Sequence, residues 1–208
     1  NNKSYKNKKK ILIENYINHP YHSINNILIG KYLELLKNYE VFGLLRKNDL
    51  RGKLLLNSFG IKKIYYYSFG GVLNRVLYLF KALIIIKKIG NFNNFHKYKF
   101  KNIDIGLLTY DTFLRYTRKP TCKEFELRLI NFFAQAIYSL DYYEKILKDK
   151  NIEGLVQAEK QFIPLSILFQ KFLLSRKRKV YSRIGTDKLC VRIFSHFNQR
   201  HENKASFS

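Results

Sequence analysis

Methionine and tryptophan are absent from this 208-residue chain, and cysteine and proline occur only 2 and 3 times. The cysteines, Cys122 and Cys190, stand far apart and outside any C-x-x-C. That excludes a disulfide-stapled framework and a zinc finger, and a reducing cytoplasm is the expected compartment. Glycine, at 10 residues, is too sparse for a collagen-like or low-complexity chain. No uncharged apolar run approaches the ~18 residues of a membrane span. The nearest, residues 72–89, is interrupted by Arg75, Lys81, Lys87 and Lys88. There is no signal-peptide pattern, no Walker loop and no G-x-G-x-x-G. Helix-turn-helix, K-homology and RNP-like signatures are missing too, so a dedicated reader of nucleic-acid sequence is not expected. The lack of Met, even at position 1, and the polar ending at residues 201–208 lead us to expect a missing start and a missing C-terminal half.

What is present is a core-forming composition with a large charge. Hydrophobic residues make up 46% and aromatics 16%, enough to bury one sizeable core. Acidic residues number 15 against 39 Lys and Arg, a formal charge of +24. Such a charge attracts nucleic acid, anionic lipid or phosphorylated ligands. The abundance of Lys, Asn, Ile, Tyr and Phe is also the skew of an AT-rich genome, so charge alone does not select a partner.

Short apolar runs alternate with helical patterns. Strands are expected at residues 10–14, 40–45, 61–67, 152–157 and 179–184, and helices at 24–39, 49–59, 72–89, 119–148 and 163–175. Asp49 is the expected N-cap and Gly60 the C-cap of the second helix. Residues 15–23 read as a loop and 91–101 as a low-complexity linker. The β-α-β-α-β-α order predicts an α/β fold, a Rossmann-like open parallel sheet flanked by helices. The expected domain layout is a basic lead-in at 1–9, the α/β domain at 10–185 and a polar segment at 186–208, the start of a missing second domain.

Ligands of open α/β sheets bind at the carboxyl ends of the strands. Four groups are expected there. His19 and His22 follow the first strand and suit a base or a phosphate contact; no third ligand stands at metal spacing. Ser68, Gly70 and Gly71 form a turn whose backbone amides suit an anion. Tyr110, Asp111 and Arg115 sit at helical spacing after an apolar run, with Arg118 nearby. Asp111 capping a helix and pairing with Arg115 is one reading; a cleft with an arginine clamp is the other. Glu159 lies just past the fourth strand and suits an acid or base. The basic run Arg176 to Lys179 suits either phosphate binding or a helix end whose macrodipole it offsets.

The stretch I-G-L-L-T-Y-D-T-F-L-R, residues 105–115, resembles an I-G-D-L-I-Y-D-T-Y-L-R-like motif of bacterial surface-polysaccharide and capsule biosynthesis proteins. V-Q-A-E-K-Q-F-I-P-L-S-I-L-F-Q-K-F, residues 156–172, and K-V-Y-S-R-I-G, residues 179–185, are similar to the N-terminal half of GT-B-like glycosyltransferases. Leu107 departs from the pattern, which has an acidic residue there. The resemblance implies the acceptor-side domain of an enzyme that transfers sugar from a nucleotide-sugar co-substrate, without a bound metal or cofactor. It implies His22, Asp111 or Glu159 as base or as the group that orients the acceptor, and Arg115 as phosphate or acidic-sugar contact. Implied partners are a glycan or lipid-linked acceptor and, through the helix at 72–89 and the run near Arg176, an anionic inner membrane. The alternative is a basic nucleic-acid-binding protein without enzymatic activity.

Overall fold

The computed structural model of the protein describes residues 8–16, 20–149, 151–158, 167–184 and 190–195. In chain order its elements are β1 (Lys10–Asn15), α1 (Pro20–Lys37), β2 (Glu40–Arg46), α2 (Leu50–Ser58), β3 (Ile64–Tyr67), α3 (Val72–Ile89) and α4 (Phe92–His96). Then follow β4 (Lys99–Phe100), β5 (Ile103–Asp104), α5 (Ile105–Thr117), α6 (Leu127–Ile146), β6 (Ile152–Ala158), α7 (Ile167–Ser175), β7 (Lys179–Ile184) and β8 (Cys190–Phe194). They divide into two compact units.

The first unit comprises Asn1–Ser68, Leu147–Glu159 and Leu173–Ser208. It holds a six-stranded sheet in the order β3-β2-β1-β6-β7-β8, parallel except for β8, which runs antiparallel to β7. This is the expected α/β architecture with a Rossmann-like open sheet. Strand side chains alternate between faces. Ile11, Ile13, Val41, Leu45, Val156 and Tyr181 enter one core with Ile27, Ile29 and Leu33 of α1 and Leu56 of α2. Close approach is needed there: a Cβ on Gly30 would lie 2.3 Å from Cδ1 of Ile13. Asp49 caps α2 as expected, accepting from the Gly52 amide at 2.8 Å; the C-cap is Phe59 rather than the expected Gly60, which follows it with a left-handed φ of 77°. The segment beyond residue 186 is not merely polar, because Cys190–Phe194 extends the sheet as β8.

The second unit comprises Phe69–Ile146 and Lys160–Phe172. α3 and α5 pack on α6, which buries Leu129, Phe133, Ile137, Leu140 and Tyr143. The expected linker at 91–101 contains α4 and β4 instead. Asn91 is a cap rather than a spacer: its side chain accepts from the Asn94 amide at 2.8 Å. Lys101 and Asn102, at φ 52° and 64°, make the tight turn between β4 and β5. The helix expected from 119 begins only at Leu127. A Cβ on Gly106 would lie 1.7 Å from the Phe95 carbonyl oxygen, so α5 can approach α4 only with glycine there.

Candidate ligand site at the carboxyl edge of the sheet

The strand order turns back between β1 and β6, since β2 and β3 lie on one side of β1 and β6, β7 and β8 on the other. Open α/β sheets bind ligands at such a switch point, outside the carboxyl ends of the strands. A polar row lies at that edge. Ile13 pairs with Val156, so the next step of the register sets Glu14 beside Gln157. Gln157 pairs with Ser182. The three side chains therefore share one sheet face, opposite to the face that carries Ile13, Val156 and Tyr181. Each is at most 2% exposed. Both amide atoms of Gln157 and the hydroxyl oxygen of Ser182 are buried without a hydrogen-bond partner.

The end of β1 is tied to the start of α1. Asn26 Nδ2 donates to the Glu14 carbonyl at 2.9 Å, and the Ser23 hydroxyl donates to Asn15 Oδ1. These bonds hold the strand end in one place. The row combines a carboxyl group, an amide that both donates and accepts, and a hydroxyl. Such a set suits a neutral ligand rich in hydroxyl groups. A buried amide without partners costs about 1–3 kcal/mol, a cost that a ligand's hydroxyls would offset. No local pattern marks these residues. Glu14 and Gln157 stand within apolar runs, and only strand register brings them together.

The residues expected from sequence are distributed differently. His22 lies in the first turn of α1, because the loop expected up to residue 23 becomes helix at Pro20. Proline suits a first helical turn, where its missing N–H is not needed. His22 is half-buried, with its ring 5.9 Å from that of Tyr21. His19 and Glu159 lie outside the described residues. Ser68 follows β3. Gly70 takes φ 83° and Gly71 is the N-cap of α3, without a side-chain cap bond. Ser68 belongs to the first unit and the two glycines to the second.

Tyr110, Asp111, Arg115 and Arg118 belong to α5 and its end, in the second unit. Asp111 does not begin a helix. α5 starts six residues earlier, because Ile105 and Gly106 pack inward directly after the β4–β5 turn. Asp111 lies in the middle of α5 instead. Partial burial raises its pKa, while His96 and Lys171 act to lower it. The Tyr110 hydroxyl lies 3.2 Å from Thr121 Oγ1 and accepts from the Cys122 amide at 3.3 Å, which fastens the segment before α6. Arg118 closes α5 in a left-handed conformation, φ 55°. His96 escaped the sequence reading because it sits in the asparagine-rich stretch. Its ring is 4.4 Å from that of Tyr110, and its Nε2 is buried without a partner.

The basic run does close a helix. Lys177, at φ 57°, and Arg178 donate backbone bonds to Leu174 and Leu173, and Arg178 reaches Glu153 at 3.4 Å. Among the described residues, no group of three or more His, Cys, Asp and Glu side chains is placed to hold a metal ion. None of the described helices is long and apolar enough to cross a membrane. α3 nevertheless exposes Leu73, Val76, Leu77, Phe80, Leu83 and Ile84 along one side, with Lys87 and Lys88 in its last turn. Compared with protein-family models, curated proteins and solved structures, the chain finds no match in any of the three.

Proposed function

We propose that this chain is the acceptor-side α/β domain of a glycosyltransferase-like protein of surface-polysaccharide synthesis. Sugar transfer joins an acceptor hydroxyl oxygen to the anomeric carbon of a nucleotide-sugar. It breaks the bond from that carbon to the nucleotide phosphate and releases the hydroxyl proton. The observation that carries the reading is the buried row Glu14, Gln157 and Ser182 at the switch point. Its carboxyl, amide and hydroxyl groups complement the hydroxyls of a sugar. Within this reading, Gln157 and Ser182 orient the acceptor. His22, Asp111 and Glu159 are the candidate proton acceptors, and Arg115 holds a phosphate or an acidic sugar. The exposed apolar side of α3, with cations at its end, would rest the protein on an anionic membrane where a lipid-linked acceptor is presented.

The test is glycan binding by the full chain and by its Gln157→Leu and Ser182→Ala variants, across bacterial surface oligosaccharides. Saturable binding that the variants lose, with their thermal transitions intact, is the expected result. No binding to any glycan, or equal binding by all three proteins, would remove the reading. The charge of +24 is equally compatible with a second reading, a basic nucleic-acid-binding protein without catalysis.

A further inference from the structure

We infer that the first unit carries a second ligand site, a cavity that takes the phosphate or pyrophosphate group of a small phosphorylated metabolite. The cavity, of about 430 Å³, is lined by Tyr16, Arg46, Lys47, Asn48, Asp49 and Arg51, among others. Its volume falls in the range of small-molecule sites. It lies at the carboxyl ends of β1 and β2, because Asn15 pairs with Leu45 and the next residues of both strands are Tyr16 and Arg46.

Three cations meet here on a fixed scaffold. Arg46 ends β2 in register with Tyr67. The Lys47 amide donates to the Tyr67 carbonyl at 2.7 Å and the Asp49 amide to the Arg46 carbonyl at 3.2 Å. Asn48 makes the turn with φ 74°. Buried Tyr16 backs the cavity, its ring 5.3 Å from that of Tyr67. The acidic member of the lining, Asp49, accepts from the Gly52 amide, and beside the three cations it leaves the lining positive. The helix start is thus capped by its own side chain, and the attraction comes from Arg46, Lys47 and Arg51. Among the described residues these three form no ion pair. Lys9, Lys10 and Lys63 of the same unit each find a carboxylate. Two guanidiniums and an ammonium around one open cavity match a diphosphate, which guanidiniums bind through paired N–H donors. A long polyanion would instead track an extended groove.

The inference stands apart from the sugar-transfer reading, because it rests on residues that reading does not use. Its test is calorimetric titration of the full chain with inorganic pyrophosphate, then with a random single-stranded oligonucleotide. One saturable pyrophosphate site is expected, weakened about tenfold or more in Arg46→Ala/Arg51→Ala. The variant Lys123→Ala/Arg128→Ala removes the same charge elsewhere and should bind as wild type. Equal weakening in both double variants would show general charge attraction and overturn the inference. So would oligonucleotide binding that Arg46→Ala/Arg51→Ala abolishes but pyrophosphate does not displace. In the unaltered chain, pyrophosphate should protect Arg46 and Arg51 from phenylglyoxal, read by peptide mapping. Modification at the same rate with and without pyrophosphate would overturn the inference without recourse to any variant. Loss of glycan binding in Gln157→Leu leaves these outcomes unchanged.

Discussion

Gln157 holds its whole amide buried and without partners, against the usual rule that buried polar groups are satisfied. Replacing it with methionine, of similar length, should raise stability in urea by roughly 1–2 kcal/mol, because an unsatisfied group is removed. A variant less stable than wild type would mean that the amide is structural. Asp141 is the opposite case. Tyr78 Oη and Lys81 Nζ donate to it at 3.0 Å, and Lys101 Nζ lies at 2.8 Å. Burial alone would raise its pKa, but the bonds from Lys101, Lys81 and Tyr78 outweigh that and the net shift is downward. A depressed carboxylate contributes stability above its unfolded pKa of about 3.9, and the contribution is lost as pH falls through the folded value. Asp141→Asn should therefore melt below wild type at pH 7, and the gap should close below about pH 4. A gap independent of pH would remove the electrostatic account. No motif signalled either residue. By contrast, the Asp49 cap was legible because capping depends on neighbours three positions away.

Elements defined by local chemistry agree closely with the expectation. α3 runs over the expected residues because apolar periodicity and flanking glycines mark both ends. The stretch expected as a linker failed because Asn91 caps α4 and Lys101 takes positive φ in a tight turn, roles that composition does not reveal. At Gly30, α1 meets β1 so closely that a methyl group must displace Ile13. Gly30→Ala should cost roughly 1–2 kcal/mol in thermal unfolding despite its better helix propensity. Ile13→Val, which removes the clashing Cδ1, should recover part of that in the double variant. Additive losses would show that the two positions do not touch. On α3, Leu77 and Phe80 are 63% and 62% exposed. Leu77→Glu/Phe80→Glu should leave the melting temperature nearly unchanged. It should also abolish sedimentation with phosphatidylglycerol-containing vesicles, and undiminished sedimentation would exclude this face as the contact.

Across the whole molecule the net charge of +24 guarantees attraction to polyanions at low salt. Binding to random single-stranded DNA should weaken about tenfold or more between roughly 50 mM and 200 mM salt. Micromolar binding that persists at the higher salt would instead favour the nucleic-acid reading. The α/β class, most strand positions, the cap of α2 and the charge were legible in the chain, because each depends on nearby residues or on composition. The chain also contained Glu14, Gln157 and Ser182, but as unrelated polar residues in three apolar strands. That β6 lies beside β1, that β8 completes the sheet, and that the three side chains form one row became visible only in the folded sheet. Strand order and register are set by burial over the entire sheet, where a slip of one residue would turn every side chain to the other face. No local window of the chain carries that constraint.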